Sequence, residues 1–203
     1  MIKKRILLVL CILQITSCNS FYGETYNLIA TYISGGDKLH VTKKFYDEFP
    51  YSFAQLKIGR SNPIIVVLSD VNNDIYKWVS SDNVILFTSN GKIVETFGLP
   101  NDIKIKFVKD FPYENNFSAR IDFMQPVLEN QKISYELNQL EDINYFNRLE
   151  TQEQVEVYEE LFKVDSIRWK SRNTYYLKNN QVVRSRTNIH PDLPVITIDF
   201  YLK

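Results

Sequence analysis

Short runs of apolar residues, some alternating with polar ones and some continuous, recur along most of the chain and predict a succession of β-strands. The clearest pair flanks Asn90-Gly91, because Val84 to Thr88 and Ile93 to Phe97 are rich in β-branched and aromatic residues. Asn-Gly tolerates the positive φ angles that a tight hairpin turn requires. Asp82 to Leu99 is therefore predicted to form a β-hairpin.

Further strands are predicted on both sides of this hairpin, separated by short polar turns such as Asp70 to Asp74. Strands that follow one another through short connections indicate an antiparallel meander. The predicted strands are Tyr51 to Ile58, Ile64 to Leu68, Ile75 to Val79, Ile103 to Val108, Phe117 to Met124, Lys132 to Leu140, Asn173 to Leu177, Gln181 to Arg186 and Val195 to Leu202.

Two segments near the N-terminus favour helix. Asn19 to Ile33 carries apolar residues at spacings of four, three and four, which would line one face of a helix. Thr42 can cap a short helix from Lys43 to Glu48, and Pro50 would stop it. We therefore expect one or two short N-terminal helices.

The segment Glu153 to Val164 is ambiguous. One set of its apolar residues fits a helix face and another set fits one face of a strand, so periodicity alone cannot decide between them. The helical set is Val155, Tyr158 and Phe162, and the strand set is Val155, Val157 and Leu161.

Composition supports a β-rich globular domain. The chain has 203 residues, of which 44% are hydrophobic, enough to bury one core without disulfides or metal. The aromatic share is 14% against only six glycines, and flat side chains pack well across neighbouring strands. We expect a mainly β protein with a single domain at residues 41–203.

The first residues predict a cleaved secretory signal. Lys3-Lys4-Arg5 is followed by the apolar run Ile6 to Leu13, which is too short to span a bilayer as a helix. Ile15-Thr16-Ser17-Cys18 then resembles the lipobox of bacterial lipoproteins, which implies cleavage between Ser17 and Cys18 and acylation of Cys18. The alternative is an ordinary signal peptide with an accidental cysteine.

Cleavage would change both the cysteine content and the charge. Residues 1–17 would be lost with Cys11, so acylated Cys18 would have no disulfide partner. The mature chain would carry 21 basic and 24 acidic residues, a net charge of −3, which makes nucleic acid a poor partner. Residues 18–40 would hold the lipid anchor, a tether and the first helix. Asn19 stands where an Asp would imply retention at the inner membrane, so we expect the periplasmic face of the outer membrane.

Several blocks of the sequence resemble the YjbF/GfcB family of group 4 capsule and exopolysaccharide lipoproteins. They are Phe49 to Ala54, Pro63 to Leu68, Trp78 to Asn83, Leu86 to Val94, Phe97 to Leu99, Tyr175-Tyr176, Gln181 to Arg186, Pro194 and Phe200 to Lys203. The resemblance implies an outer-membrane lipoprotein and an antiparallel meander sheet curled on itself, sandwich- or half-barrel-like. It also favours strand for Glu153 to Val164, and it supplies no catalytic residues.

The sequence contains little support for catalysis or metal binding. His40 and His190 are the only imidazoles, and neither lies in a motif that supplies a base-orienting partner. No P-loop, nucleophile elbow or His-Cys cluster is present. We therefore predict no catalytic residues, no metal site and no cofactor.

A charge asymmetry is the best signal for ligand binding. Glu129 to Asp165 contains ten acidic residues, whereas Ser166 to Pro191 contains six basic residues and no acid. Aromatic rings among arginines suit an acidic glycan, and the residues predicted to bind it are Arg168, Trp169, Arg172, Tyr176, Arg184 and Arg186. The alternative is that the acidic and basic strands pair with each other. Both tryptophans, Trp78 and Trp169, are expected to pack in the core or against neighbouring strands rather than to bind sugar.

Three hypotheses follow for function. The first is a non-enzymatic accessory lipoprotein of polysaccharide assembly or export, which would dock with export proteins through sheet edges or an exposed face. The second is a module that binds acidic polysaccharide through the Arg168 to Arg186 segment. An enzyme is the third. The expected partners are the membrane, through acylated Cys18, and polysaccharide-export proteins or the polysaccharide itself.

Overall fold

A computed structural model gives the structure of residues 40–106, 112 and 116–203, apart from the side chains of residues 141–143. The predicted signal peptide, the cleavage residues Ser17 and Cys18, and the helix predicted within Asn19 to Ile33 lie outside the described residues. The part of the chain that is described contains one α-helix, one short 3-10 helix and twelve β-strands.

Helix α1 spans Lys43–Glu48, as predicted, and the Thr42 hydroxyl accepts a hydrogen bond from the Phe45 backbone N–H at 3.1 Å. The ring of Phe45 contacts Phe53 of the first strand edge-on, with centroids 5.3 Å apart. The Tyr46 hydroxyl donates to the Leu202 carbonyl at 2.9 Å. These contacts hold the helix against the first and last strands.

The twelve strands follow the predicted order with changed boundaries. They are β1 Phe53–Ile58, β2 Ile64–Asn72, β3 Ile75–Ser80, β4 Ile85–Ser89, β5 Lys92–Phe97, β6 Ile103–Ile105, β7 Phe117–Met124, β8 Val127–Arg148, β9 Thr151–Val164, β10 Trp169–Lys178, β11 Gln181–Thr187 and β12 Ile196–Tyr201. The ambiguous segment Glu153 to Val164 is thus strand, as the family resemblance implied.

The strands form a closed antiparallel barrel. Each strand pairs with its neighbours in sequence, and β12 pairs with β1 from Phe53 opposite Tyr201 to Ile58 opposite Ile196. The prediction of a mainly β antiparallel meander is confirmed, but the sandwich- or half-barrel-like description is replaced by full closure. Every strand of the closed barrel has a paired neighbour on each side, so none of the described strands is an open sheet edge along its whole length.

Tight turns cluster at one end of the barrel, called here the hairpin end. Asn73-Asp74, Asn90-Gly91 and Asn179-Asn180 each place two successive residues at positive φ, between 46° and 76°. Such pairs give the twist that a two-residue hairpin needs. The predicted turns at Asn90-Gly91 and near Asn179-Asn180 are confirmed.

Two strands run beyond their predicted limits. β2 continues to Asn72, so the polar turn predicted at Asp70 to Asp74 shrinks to Asn73-Asp74. β8 runs past Leu140 to Arg148, with a register shift between Leu140 and Asn144. Residues 144–155, which lie beyond this shift, form a hairpin that we call the β8–β9 arm.

The β8–β9 arm packs against the outside of the barrel wall. Phe146 of the arm contacts Tyr176 of β10, with ring centroids 6.2 Å apart, and shares an apolar cluster with Val155, Val157 and Val183. Arg148 near the arm's tip donates to the Phe200 carbonyl of β12. The arm therefore covers part of the outer face of β10, β11 and β12.

The barrel interior is filled mainly by large apolar side chains. Those that are fully buried include Leu56, Trp78, Leu86, Ile93, Ile103, Ile121, Phe123, Ile133, Leu177 and Ile196. At the hairpin end, Gly91 lies so close to β11 that a Cβ there would be 2.5 Å from Cβ of Val182. The β4–β5 turn thus reaches the opposite wall and divides this end of the interior.

Candidate functional site

The six residues predicted to bind glycan do not form one surface. Trp169 is half-buried and packs edge-on against Phe123 and Phe162, with centroids 6.1 and 4.8 Å apart. Tyr176 lies beneath Phe146 of the arm. Arg168 is exposed in the left-handed region, with φ of 52°, at the turn before β10. Trp78 is buried in the core, and Trp169 is half-buried and packs against the core, as expected.

Arg184 is held by a carboxylate beneath the arm. Its Nη2 donates to Asp199 Oδ2 at 2.7 Å, and its Nε donates to Asp199 Oδ1. The ring of Phe146 lies over the guanidinium, 4.1 Å from ring centroid to Cζ. Burial lowers the pKa of Arg184, but the Asp199 carboxylate outweighs burial and leaves the pKa above its usual value. Arg184 is therefore committed to an internal contact.

Four exposed cations line the outer face of β9, β10 and β11, and we call them the cationic strip: Lys163, Lys170, Arg172 and Arg186. Lys163 lies directly opposite Lys170 in the β9–β10 register. Arg186 lies opposite Thr174, which makes it a diagonal neighbour of Arg172. Like charges placed directly across a strand pair repel each other, so an anion bound there would relieve repulsion.

Acidic side chains neutralise part of this basic surface. Glu159 pairs with Arg172 at 3.1 Å, and Asp165 pairs with Lys163 at 3.1 Å. Glu153 likewise pairs with Lys178 at 2.9 Å. The predicted alternative, in which acidic and basic strands pair, therefore holds for several residues. Among the described residues, Lys170 and Arg186 have no carboxylate within ion-pair distance.

A charged cluster lies inside the barrel, and the sequence patterns missed it. Lys92 of β5 and Glu160 of β9 are 4% and 0% exposed, and their Nζ and Oε1 atoms are 2.6 Å apart. The other carboxylate oxygen, Oε2, accepts hydrogen bonds from Asn173 at 2.9 Å and from the Tyr175 hydroxyl at 3.2 Å. Alternation within β9 places Glu160 on the same face of the strand as Tyr158 and Phe162. That pattern was the signal in the sequence from which an inward-facing Glu160 could have been predicted.

The surroundings of Lys92 are aromatic. Its Nζ lies 3.4 Å from the ring centroid of Tyr135, a cation–π contact. Burial lowers the pKa of Lys92, although Glu160 opposes that effect, and burial raises the pKa of Tyr135 well above its usual value. A cavity of about 20 Å³ adjoins these side chains, room for about one water molecule. It is too small for a substrate, so the cluster is a bridge between opposite walls of the barrel.

The two histidines lie apart from this cluster. His190, in the loop before β12, is 1% exposed and packs edge-on against Phe123 at 5.2 Å. Its Nδ1 accepts the Asp192 backbone N–H at 3.0 Å, and burial lowers its pKa. His190 is thus a neutral packing residue that orders its loop, whereas His40 is exposed.

Within residues 40–106, 112 and 116–203, no group of three or more His, Cys, Asp or Glu side chains is arranged to hold a metal ion.

In the same part of the chain, none of the helices has the length and apolar character needed to cross a membrane.

Comparison with known proteins settles the family. A family model described as group 4 capsule polysaccharide lipoprotein GfcB, YjbF, matches residues 26–201. The chain belongs to this family. The resemblance inferred from the sequence blocks is therefore confirmed, and membership agrees with a membrane-anchored lipoprotein associated with capsule polysaccharide.

Individual relatives agree with this assignment. An uncharacterized lipoprotein GfcB of Escherichia coli K12 is 37% identical over 54 residues, a segment that spans 27% of this chain and 25% of that protein. The crystal structure of a hypothetical lipoprotein, YmcC from Escherichia coli K12, superposes with a TM-score of 0.67 at 20% identity. That match covers 80% of this chain and 89% of the other, and it shows a shared fold.

Proposed function

We propose that this chain is a lipid-anchored accessory protein on the periplasmic face of the outer membrane, where it serves capsule or exopolysaccharide assembly or export without catalysing a reaction. The observation that carries the proposal is the family match over residues 26–201. The buried position of His190 and the small cavity beside Lys92, about 20 Å³, support a non-enzymatic role. Its partners would be export proteins or the polysaccharide.

The anchor is the first element to test. Acylation of Cys18 by several chains would attach the barrel stably, since two chains already suffice for a lasting membrane association. Replacing Cys18 by Ser is expected to move the protein from the outer-membrane fraction and to lower the amount of surface polysaccharide. Membrane fractionation and a capsule stain measure the two effects in the source strain deleted for the native gene.

Cys11→Ser is the matched control, because it changes a cysteine within the predicted signal peptide and leaves the lipidation site intact. A strain without the gene that still makes normal surface polysaccharide would contradict the accessory role. A Cys18→Ser protein that stays with the membrane after verified signal cleavage would contradict the lipid anchor.

A second candidate function is favoured by the cationic strip, namely binding of acidic polysaccharide. Lys170 and Arg186 are exposed, and no carboxylate of the described residues lies within ion-pair distance of them. Arg172 and Arg186 of the predicted set remain candidates and Lys170 joins them, whereas Trp169, Tyr176 and Arg184 make internal contacts. Arg168 is also exposed, at the turn before β10. Guanidinium groups fork onto carboxylates, so uronic acids are the expected ligands.

The cationic strip can be tested on an immobilised acidic polysaccharide such as alginate. The double variant Lys170→Ala with Arg186→Ala is expected to elute at clearly lower salt than the unmodified chain. Two cationic side chains that would contact the carboxylates of the polysaccharide are lost. Lys43→Ala with Lys44→Ala on helix α1 removes the same charge elsewhere and serves as the control. Equal losses in both double variants would show only non-specific attraction.

A further inference from the structure

The β4–β5 turn creates a separate pocket at the hairpin end of the barrel. Because Gly91 reaches Val182 on the opposite wall, the interior near β3, β4 and β12 is partitioned from the half that contains Lys92. The partitioned half opens into a pocket of about 230 Å³. Its position is therefore set by a turn that the sequence already predicts.

Tyr76 supplies the accessible aromatic surface of this pocket, because its ring is half-buried whereas Trp78 and Phe200 behind it are 1% and 3% exposed. Tyr76 and Trp78 of β3 lie parallel, with centroids 6.2 Å apart and an interplanar angle of 13°. The indole N–H of Trp78 donates to the Thr88 hydroxyl at 2.8 Å, which fixes the ring. Phe200 of β12 packs against Trp78 at 5.5 Å. Trp78 and Phe200 therefore hold the Tyr76 ring in a fixed position at the pocket.

Amide side chains surround the opening. Asn90 comes from the β4–β5 turn, and Asn180 and Gln181 come from the β10–β11 turn. Within the described residues these three amide groups make no hydrogen bond to other protein groups, so their donors and acceptors are available. An amide offers both a donor and an acceptor, which matches pairs of neighbouring hydroxyl groups.

The lining chemistry selects one class of ligand. Among the described residues that line the pocket there is no charged side chain. Acidic sugars would therefore find no counter-charge, and a simple alkyl chain would leave the amides without partners. A neutral sugar ring satisfies both parts of the wall, because its C–H face can pack on the half-buried Tyr76 ring while its hydroxyls bond to the amides.

We propose that this pocket binds a neutral sugar ring of a polysaccharide chain. The inference rests on the proposed function, since it names the ligand class of a protein placed in polysaccharide assembly. It differs from the cationic strip in both place and chemistry, because the strip lies on the outer face of β9, β10 and β11 and would take acidic sugars.

Tryptophan fluorescence can test the pocket directly, because Trp78 and Trp169 are the only two tryptophans. In the full-length chain carrying Trp169→Phe, purified in a detergent without a sugar headgroup, Trp78 is the sole emitter. Titration with glucose, galactose or N-acetylglucosamine is expected to give a saturable change in its emission, with half-saturation at about 1 mM for the preferred sugar.

Substitutions in the β10–β11 turn separate binding from folding. Asn179 and Asn180 both have positive φ, and glycine tolerates that conformation. Asn180→Gly with Gln181→Ala is expected to weaken sugar binding at least tenfold. Asn179→Gly with Gln152→Ala is the matched control, because Asn179 lies outside the pocket lining and Gln152 is exposed on the arm, and it should bind as the unmodified pocket does.

Three outcomes would overturn the proposal: no sugar changes Trp78 emission, decanoic acid saturates the pocket while sugars do not, or both turn variants bind alike. None of these outcomes would contradict the proposed accessory role. That role is contradicted instead if cells lacking the protein keep normal surface polysaccharide. The two failures are therefore distinguishable.

Discussion

Replacing Glu160 by Gln is expected to lower the free energy of unfolding by about 3 to 5 kcal/mol. The carboxylate lies 2.6 Å from Lys92 Nζ in the barrel interior, where both side chains are almost fully buried. Gln keeps the shape and can still bond Asn173 and Tyr175, so the loss reports the missing charge. Urea unfolding followed by circular dichroism measures it, provided that the slope with denaturant is unchanged.

Two further variants make this result specific. Glu136→Gln on the exposed outer face of β8 removes the same charge and should change stability by less than about 0.5 kcal/mol. Lys92→Met combined with Glu160→Gln removes both buried charges, and it should lose less than Glu160→Gln alone because no ammonium is then left facing an amide. A Glu160→Gln loss as small as that of Glu136→Gln would contradict the bridging role.

Replacing Gly91 by Ala is expected to lower the free energy of unfolding by about 2 to 4 kcal/mol. The backbone at Gly91 has φ of 76°, where an L side chain is strained, and the new Cβ would lie 2.5 Å from Cβ of Val182. Both effects act at the contact that divides the barrel interior. Thermal and urea unfolding measure the loss.

The two causes can be separated. Gly98→Ala carries a similar backbone strain, at φ of 85°, but its Cβ would lie 3.0 Å from the nearest atom, so its loss should be smaller. Adding Val182→Gly to Gly91→Ala removes the opposing side chain and should recover the steric part, seen as a coupling energy of about 1 to 3 kcal/mol. Strict additivity of the two substitutions would show that Gly91 and Val182 do not touch.

Most local elements could be predicted from the sequence. The hairpin at Asp82 to Leu99, the helix Lys43–Glu48 with its Thr42 cap, and the hairpin around Asn179-Asn180 all depend on residues close together in the chain. Turn residues and alternation carry that information directly. The family also followed from short blocks, which the match over residues 26–201 confirms.

β9 shows why periodicity was insufficient. Phe162 and Val164 of β9 face the interior, whereas Val155 and Val157 are buried on the other side of the strand, in the cluster that contains Phe146 of the arm. The buried face of β9 changes between Val157 and Glu160, so its buried residues do not follow one continuous period of two, and the pattern no longer excludes a helix. The strand assignment was right, but the arm that buries its outer side was not predicted.

The candidate sites could likewise be predicted only in part from the sequence. A cluster of cations was visible in Ser166 to Pro191, but which of them remain exposed depends on pairing with Asp199 and Glu159 and on cover from Phe146. The buried Lys92–Glu160 pair joins residues 68 positions apart, and charged residues are normally expected at the surface.

The sequence by itself determined most of the strands, the hairpin turns and the family, because each depends on short-range geometry or on recognisable local blocks. The tertiary structure alone decided that β1 closes onto β12, that Lys92 meets Glu160 and that Gly91 partitions the interior. These contacts join segments that are distant in the chain. They are stabilised by strand pairing and burial, and no local pattern of apolar and polar residues specifies which distant segments meet.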